Sequence, residues 1–269
     1  MNQSIVNADD IAIPDIDNLV IEDDTPVDNF QSEKQQRLLV EPLYSSQDSS
    51  SVLPKPFIVA ANVGLFFAIK QEPLVPDVFV SLGVQMPADW SQKRNRSYFV
   101  WEFGKVPELA IEIVSNRVGN ELTTKKDAYA RMGVVYYVVF DPLRQLQKPD
   151  QMDGNLLQAF VLTAGQYRQL PTPWFEGMNL GLTLWDGVFE GQTETWLRWC
   201  DRDQQVVPTG AERAEQEKQR AEQEKQRAEQ EKQRAEQEKQ RADAASARAQ
   251  RLAEQLRAMG IDVDDESGE

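Results

Sequence analysis

The chain has 269 residues, of which 41% are hydrophobic and 9% aromatic, and its net charge is -15. It is therefore long enough to bury one sizeable core and to carry appendages. It has no histidine and one cysteine, Cys200, which excludes Ser-His-Asp and Cys-His catalytic sites, histidine-based metal sites, internal disulfides and multi-cysteine zinc sites. We expect Cys200 to be a small packing residue.

The negative charge lies mainly at the two ends of the chain. Residues 1–50 hold eleven acidic against two basic residues, and residues 260–269 hold five acidic residues and no basic one. Residues 51–210 are nearly neutral, with seventeen acidic against fifteen basic residues. The first residues lack a basic segment followed by an apolar run, so we expect no signal peptide, and no window has the ~20 consecutive apolar residues of a membrane span. We therefore expect a cytoplasmic protein with no membrane partner.

Composition divides the chain into four segments. Residues 1–36 are acidic and lack periodicity, which predicts a flexible arm. A folded domain is expected over residues 37–207. Residues 208–259 are predicted to form a charged heptad-repeat helix, and residues 260–269 an acidic tail.

Short runs of β-branched and aromatic residues bounded by turn residues predict the strands of the folded domain. They lie at residues 37–44, 77–82, 98–103, 108–115, 134–140, 157–163, 167–170 and 180–185. An apolar stretch at 56–70 predicts a helix followed by a strand, and residues 120–132 predict a helix. Residues 164–165 are expected to turn a hairpin, and Trp196 and Trp199 to anchor a final turn against the core. Strands mixed with one or two helices predict an α/β or α+β sheet domain.

The segment 87–97 is polar and basic, which predicts an exposed loop. Cations in and beyond this loop are candidates for a phosphate track, with an ordinary solvated surface as the alternative. They are Lys93, Arg94, Arg96, Lys105 and Arg117. Trp90 and Tyr98 are candidates for stacking on bases, with packing in the core as the alternative.

In the predicted C-terminal helix, the heptad Ala-Glu-Gln-Glu-Lys-Gln-Arg repeats four times without error from Ala214 to Arg241. With alanine at position a, position d is glutamate in every repeat, so this part has no apolar seam. Beyond it, the same register places apolar residues at a and d, namely Ala242, Ala245, Ala249, Leu252, Leu256 and Met259. We expect a charged spacer followed by a coiled-coil segment that forms a homodimer, with a solvated single helix as the alternative.

Glu112 is out of place in the predicted strand over residues 108–115, because both faces of this strand are otherwise apolar. An unpaired charge on a covered strand costs several kcal/mol, so Glu112 requires a compensating cation. The next helix offers one, because Lys125 and Tyr129 are four residues apart and share a face. Lys126 points about a quarter-turn away.

Asp77 follows a proline at the start of a predicted strand, and together with Glu112 and Lys125 it forms a minimal set for metal-dependent phosphodiester hydrolysis. Asp77 and Glu112 would supply oxygen ligands to Mg²⁺ or Mn²⁺, helped by a main-chain carbonyl near Ile113. Lys125 would hold or activate the attacking water and offset charge in the transition state. The alternative is a buried Glu112–Lys125 ion pair with a structural role only.

Several short motifs occur in a fixed order along the folded domain. They are Pro76-Asp77, Glu112 within residues 111–115, residues 125–129, Gly133-Val134, Tyr136-Tyr137 and Asp141-Pro142. Over about residues 37–200, this set resembles the Uma family (Uma-two type) of bacterial restriction endonucleases, a branch of the PD-(D/E)XK nuclease superfamily. The resemblance implies a restriction-endonuclease-like mixed sheet with flanking helices, followed here by the long C-terminal helix.

The resemblance also implies the roles of individual residues. Asp77 and Glu112 correspond to the metal ligands. The superfamily lysine ordinarily follows its acidic residue by two positions, where this chain has Val114. Within the family the lysine comes from the next helix, which corresponds to Lys125, with Lys126 as the alternative. Glu41 is a candidate for a further acidic residue of the site.

Two functions follow as hypotheses. The first is a Mg²⁺-dependent endonuclease that hydrolyses duplex DNA, dimerised through its helical tail so that two sites can cut both strands. The second is a catalytically inactive protein that keeps the nuclease fold and reaches a partner through the tail. They differ in one local requirement, because an active enzyme needs Asp77, Glu112 and Lys125 to converge at one place.

Overall fold

The computed structural model describes residues 29–46, 52–68 and 71–260. The chain divides into two compact units, Met1–Gly210 and Ala211–Glu269. The elements of the first unit, in chain order, are α1 (Phe30–Ser45), β1 (Phe57–Ala61), β2 (Leu65–Phe66), β3 (Val78–Leu82), β4 (Tyr98–Phe99), α2 (Val100–Phe103), β5 (Leu109–Ile113), α3 (Thr124–Met132), β6 (Tyr136–Phe140), β7 (Leu157–Thr163), β8 (Gln166–Gln169), β9 (Trp174–Phe175), β10 (Leu180–Phe189) and β11 (Gln192–Cys200). A single helix follows, α4 (Gly210–Ala258).

Six strands form the main sheet, in the order β1-β3-β5-β6-β7-β8. β5 and β6 run parallel, and the other neighbours are antiparallel. Parallel strands need a crossover connection, and α3 provides it between β5 and β6. The strands β11-β10-β9 form a second sheet, and β2 and β4 a short parallel pair. This mixed sheet with flanking helices and a long C-terminal helix confirms the predicted fold class.

Both faces of the main sheet are covered, so its middle strands are buried throughout. On one face, the alternate residues Leu109, Ile111 and Ile113 of β5 pack in a core with α1 and the three-stranded sheet. On the other face, Ala110 of β5 packs in a core with Tyr129 and other residues of α3. Glu112 alternates to the same face as Ala110, and its side chain is 1% exposed.

The strand predicted at residues 37–44 is wrong, because this stretch belongs to α1. The Asn29 side chain caps α1 by accepting a hydrogen bond from the Ser32 N–H at 2.9 Å. The buried positions of the first two turns are polar, which conceals the helical period of the apolar residues. They are Ser32, Gln35 and Gln36. The predicted boundary between residues 36 and 37 falls inside this helix, and residues 1–28 of the predicted arm lie outside the described residues.

Three other predictions need correction. The helix expected within residues 56–70 is absent from the described part of that range, which forms β1 and β2 because its β-branched and aromatic side chains favour strands. The strand predicted at 98–103 stops at Phe99 and gives way to the helical turn α2, which Gly104 ends with a φ of 71°. Trp196 and Trp199 belong to β11 and not to a final turn, and both are buried.

The remaining strands and the helix after residue 120 are confirmed, with bounds shifted by a few residues. α3 ends at Gly133, whose φ of 95° closes the helix in the left-handed conformation. The hairpin between β7 and β8 turns at residues 164–165. Cys200 is buried, as expected of a packing residue.

α4 is one continuous helix of 49 residues in which no residue is buried. Glutamine and glutamate four residues apart along it are hydrogen bonded, as between Gln219 and Glu215 at 3.0 Å. In residues 29–46, 52–68 and 71–260, no helix has both the length and the apolar character needed to cross a bilayer. Residues 261–269 of the predicted acidic tail lie outside the described residues.

The buried Gln35 side chain joins α1 to the three-stranded sheet. Its Nε2 donates to the Leu197 carbonyl at 2.8 Å, and its Oε1 accepts from the Leu197 N–H at 3.0 Å. The amide therefore satisfies two buried backbone groups of β11 at once. The Trp199 Nε1 adds a hydrogen bond to the Leu39 carbonyl at 2.6 Å.

Replacing Gln35 with leucine keeps a side chain of similar volume but removes the hydrogen bonds to the Leu197 N–H and C=O. We expect Gln35→Leu to lower the free energy of unfolding by roughly 2–4 kcal/mol, measured by urea denaturation. Gln169→Leu is the control, because Gln169 is exposed on β8. Equal stabilities of the two variants would contradict this account of how α1 is held.

Candidate active site

Asp77 and Glu112 lie on neighbouring strands at the same end of the main sheet. Asp77 immediately precedes β3, and Glu112 is the fourth residue of β5. In the antiparallel register of these strands Val78 faces Ile111, which brings Asp77 opposite Glu112. The two acidic residues, 35 positions apart in the sequence, are therefore adjacent in the fold.

Glu112 is held by two side chains of α3. The Lys125 Nζ donates to Glu112 Oε2 at 2.7 Å, and the Tyr129 hydroxyl donates to Oε1 at 2.7 Å. Lys125 and Tyr129 are one turn apart on α3, and this turn faces β5. The predicted partner of Glu112 is thus the one that the structure shows, and the buried carboxylate is compensated by a cation and a hydroxyl.

Asp77 is fixed by one side chain and one backbone group. The Gln36 Nε2 of α1 donates to Asp77 Oδ1 at 3.0 Å. The backbone N–H of Ile113, at the end of β5, donates to Asp77 Oδ2 at 2.7 Å. Ile113 is therefore beside Asp77, and its N–H makes the contact.

The charges of this cluster shift one another's titration. Burial raises the pKa of the Glu112 carboxyl to about 8, the nearby Asp77 charge adds to the rise, and Lys125 and Tyr129 oppose it. Burial also acts on Lys125, but the charges of Glu112 and Asp77 outweigh it and raise the pKa of the Lys125 ammonium. Burial and Glu112 raise the pKa of Tyr129 well above its ordinary range, so its hydroxyl remains a hydrogen-bond donor.

The two other candidates for the site lie elsewhere. The Lys126 Nζ is 3.5 Å from the centroid of the Phe160 ring, and burial lowers the pKa of this ammonium. The Glu41 Oε1 accepts a hydrogen bond from the Gly210 N–H at 3.0 Å, at the start of α4. Of the two lysines, Lys125 contacts Glu112, whereas Lys126 contacts Phe160. Glu41 contacts the backbone of Gly210.

Two residues near the acidic pair were not identified from the sequence. Gln36 contacts Asp77 from a helix whose existence the sequence pattern concealed. Glu121 is 5% exposed, and its charge contributes to the raised pKa of Lys125. Its buried Oε2 has no hydrogen-bond partner among the described residues. The one sequence feature that could have identified Glu121 is its position four residues before Lys125, because residues at that spacing share one side of a helix.

Lys105, one cation of the candidate phosphate track, is engaged within the protein. Lys105 pairs with Glu108 and donates to the Leu82 carbonyl at 2.8 Å. Tyr98 is 2% exposed, so packing in the core is its observed role, whereas Trp90 is 63% exposed. The exposed loop predicted at residues 87–97 is confirmed, with three residues of 3-10 helix inside it.

The donor set fits a hard divalent cation. The oxygens of Asp77 and Glu112 accept hydrogen bonds from Gln36, Ile113, Lys125 and Tyr129, and carboxylate oxygens are hard ligands of the kind that Mg²⁺ binds. In the part of the chain that the structure describes, no group of three or more His, Cys, Asp or Glu side chains is placed to hold a metal. Mg²⁺ is commonly held by one or two carboxylates and completes its coordination with water and substrate oxygens. Two carboxylates are therefore sufficient protein ligands.

Comparison with known proteins gives a family and a structural neighbour. The family model described as "Uma2: Putative restriction endonuclease" matches residues 7–184, well over half of the chain. A solved structure from Anabaena variabilis ATCC 29413, described as a "putative nuclease belonging to DUF820", has 14% sequence identity and a TM-score of 0.37. The match covers 56% of this chain and 72% of that one. A comparison with curated proteins gave no match.

The raised pKa of Glu112 predicts how stability depends on pH in the absence of metal. Between the ordinary value of 4.5 and the raised value of about 8, the folded protein keeps a proton that the unfolded chain has released. The free energy of unfolding therefore falls as the pH rises through this window, by up to about 1.4 kcal/mol per pH unit from this group. Above the window the contribution of this group is constant.

Urea denaturation in EDTA at several pH values measures this slope. We expect the Glu112→Gln variant to lack this part of the decline, so that its stability relative to the wild type rises between the two pH limits. Glu72→Gln, at an exposed position, should follow the wild-type curve. Parallel curves for Glu112→Gln and the wild type would contradict the raised pKa.

Proposed function

Because the chain belongs to the Uma2 family of restriction endonucleases, we propose that it is a metal-dependent endonuclease that hydrolyses phosphodiester bonds of DNA. The family assignment supports a nuclease in general. The observation that carries the finer proposal is the meeting of Asp77, Glu112 and Lys125 at one end of the main sheet. Two carboxylates beside a lysine suit phosphodiester hydrolysis.

Asp77 and Glu112 would hold a Mg²⁺ or Mn²⁺ ion, with the Ile113 carbonyl as a further oxygen ligand. When bound, the cation supplies Lewis-acid polarisation of the phosphate and a lowered pKa of its water. A positive charge beside Glu112 also favours the ionised carboxylate, whose pKa is otherwise raised to about 8 by burial. A bound cation would therefore stabilise the ionised form of Glu112.

Lys125 is the group placed to act on the reacting atoms. Its ammonium is 2.7 Å from Glu112 Oε2, and its side chain is 38% exposed. It therefore reaches from the buried carboxylate toward solvent, where a phosphate and an attacking water could approach. There it would orient the water and offset the negative charge that develops on the phosphate oxygens.

The other residues of the cluster position these three. Tyr129 donates to Glu112 Oε1, which leaves Oε2 for Lys125. Gln36 and the Ile113 N–H fix both oxygens of Asp77, so its carboxylate has one orientation. Such fixed geometry is what a site needs to hold a ligand without further rearrangement.

Conservative variants test this assignment. We expect Asp77→Asn, Glu112→Gln and Lys125→Met each to lower the rate of Mg²⁺-dependent DNA cleavage by at least about 100-fold. Calorimetry should show that Mg²⁺ binding is lost in the double variant Asp77→Asn, Glu112→Gln. Cleavage is followed on linear and circular DNA, both single-stranded and duplex, because the three site residues do not specify a target sequence.

Lys126→Met is the matched control, since Lys126 is the adjacent lysine and its ammonium lies over the Phe160 ring. It should cleave DNA at close to the wild-type rate. Unchanged cleavage by Glu112→Gln would refute the site. Absence of Mg²⁺ binding by the wild type, even with DNA, would instead favour the alternative function, an inactive nuclease fold that binds a partner through α4.

We further propose that α4 makes the protein a homodimer, which would bring two sites to one DNA molecule. Apolar residues of the distal a and d positions are available for this contact. Leu252 is 49% exposed and Met259 is 70% exposed, and Leu256 is partly exposed. Helices with apolar a and d positions gain stability by burying them against each other.

Sedimentation velocity of the full-length protein tests the dimer. The double variant Leu252→Glu, Leu256→Glu places charges in the seam and should shift the protein from dimer to monomer. Gln226→Glu, in the charged repeats, should leave the sedimentation coefficient unchanged. A monomeric wild type at all concentrations would mean that α4 is a solvated single helix.

A further inference from the structure

A cavity of about 400 Å³ lies against β1 and β3 of the main sheet. Its walls are almost entirely apolar and include several aromatic rings. Among its lining residues are Ile58, Phe79, Trp90, Arg96, Tyr98 and Phe103. A volume of this size falls within the range of small-molecule and cofactor sites. The catalytic proposal does not use it.

The cavity lies on the same sheet face as Glu112. Its floor residue Phe79 pairs with Ala110 in the register of β3 and β5, and the two belong to one core cluster. Ala110 and Glu112 are two residues apart on β5 and alternate to the same face. The row of Ala60, Phe79 and Ala110 is therefore roughly 7 Å along the strands from the row of Asp77 and Glu112, and Ile58 lies one row further away.

Trp90 is an exposed aromatic side chain at this cavity, with 63% of its surface accessible. The loop around it is held by its own hydrogen bonds. The Arg96 side chain donates to the Trp90 carbonyl at 3.0 Å and to the Ser91 carbonyl at 2.9 Å, and the Asn95 side chain donates to the Asp89 carbonyl at 2.6 Å. The indole is thus presented by an ordered loop, although burying it would be more favourable for an isolated protein.

The charge of this loop suits a polyanion. Lys93, Arg94 and Arg96 occur within four residues of one another, against one carboxylate, Asp89. Asp89 accepts hydrogen bonds from Ser91 and neighbouring side chains, which lower its pKa. An aromatic ring flanked by cations is the combination that binds single-stranded nucleic acid, since the ring stacks on a base and the cations contact phosphates.

We propose that this cavity receives one unpaired base of the DNA strand whose phosphate is at Asp77 and Glu112. The inference rests on the proposed function, because it defines the substrate of the same site as single-stranded DNA or DNA with an unpaired base beside the cut. The base stacks on Trp90 and enters the cavity beside it. Its sugar connects it to a phosphate at the carboxylates.

The apolar walls account for the requirement that the base be unpaired. A base within a duplex has both faces stacked and its edge paired, so neither Trp90 nor the cavity can reach it. Asn95 and Ser97 also line the cavity, and polar atoms of these residues can contact the edge of an inserted base. Because stacking tolerates any base, the cavity selects unpaired structure more than sequence.

Binding without cleavage tests the proposal. The full-length protein is titrated in EDTA into a short fluorescent single-stranded DNA, the same strand in a duplex, and the single strand with abasic sites, and anisotropy is measured. The wild type should bind the single strand at least roughly tenfold more tightly than the other two. Trp90→Ala should lose about the same factor, and Trp90→Phe should keep most of the affinity.

Two further measurements separate stacking from an indirect effect. Tryptophan fluorescence should be quenched when unlabelled single-stranded DNA is added, and Trp90→Phe should lose this quenching while it still binds. Ala60→Leu, which fills the cavity with Trp90 intact, should also weaken binding. Phe30→Ala is the control, because Phe30 is 89% exposed and does not line this cavity.

Equal affinity for duplex and single strand, or affinity of Trp90→Ala within twofold of the wild type, would overturn the proposal. Thermal melting shows whether each variant is folded. Cleavage that depends on Glu112 but ignores Trp90 and prefers paired DNA would overturn the inference and leave the nuclease intact. Quenching and single-strand binding by a protein that never cleaves would support the base-binding cavity and overturn the proposed nuclease activity.

Discussion

Glu112 carries its carboxyl group on a middle strand of a sheet that is covered on both faces, and the charge that this group bears when ionised must be compensated inside the protein. The compensation comes from Lys125 and Tyr129, and it specifies how α3 must lie. α3 has to present one particular turn to β5, and it ends at Gly133 so that β6 can run parallel beside β5. The crossover that makes the sheet mixed is therefore also the element that accommodates the buried charge.

The two carboxylates are adjacent but are held in different ways. Glu112 is buried and depends on side chains of α3, whereas Asp77 is fixed from α1 by Gln36 and from the backbone of β5. Elements from both faces of the sheet thus meet at one end of β3 and β5. The cavity beside Trp90 lies on the sheet face that carries Glu112. The proposed metal site and the proposed base contact are consequently supported by one sheet.

The contacts that could be predicted from the sequence are those that depend on local spacing along a strand or a helix. Glu112 interrupts an apolar strand, and the spacing of Lys125 and Tyr129 predicts one helix face, so their meeting followed from alternation and helical period. α1 could not be found in this way, because Gln35 and Gln36 occupy buried positions where a pattern requires apolar residues. Their role depends on distant backbone and on Asp77. The cavity likewise joins segments that are far apart in the sequence, and only the tertiary fold brings them together.

The contact between α1 and the three-stranded sheet has a consequence for the behaviour of many copies together. β11 is an outer strand of that sheet, and an uncovered outer strand can pair with a strand of another molecule and begin aggregation. Here the Gln35 amide occupies the backbone of Leu197, and the Val207 N–H donates to the Trp199 carbonyl at 2.9 Å. Intermolecular β-pairing along this stretch is therefore blocked. Gln35, which joins α1 to the three-stranded sheet, therefore also protects the protein against aggregation through β11.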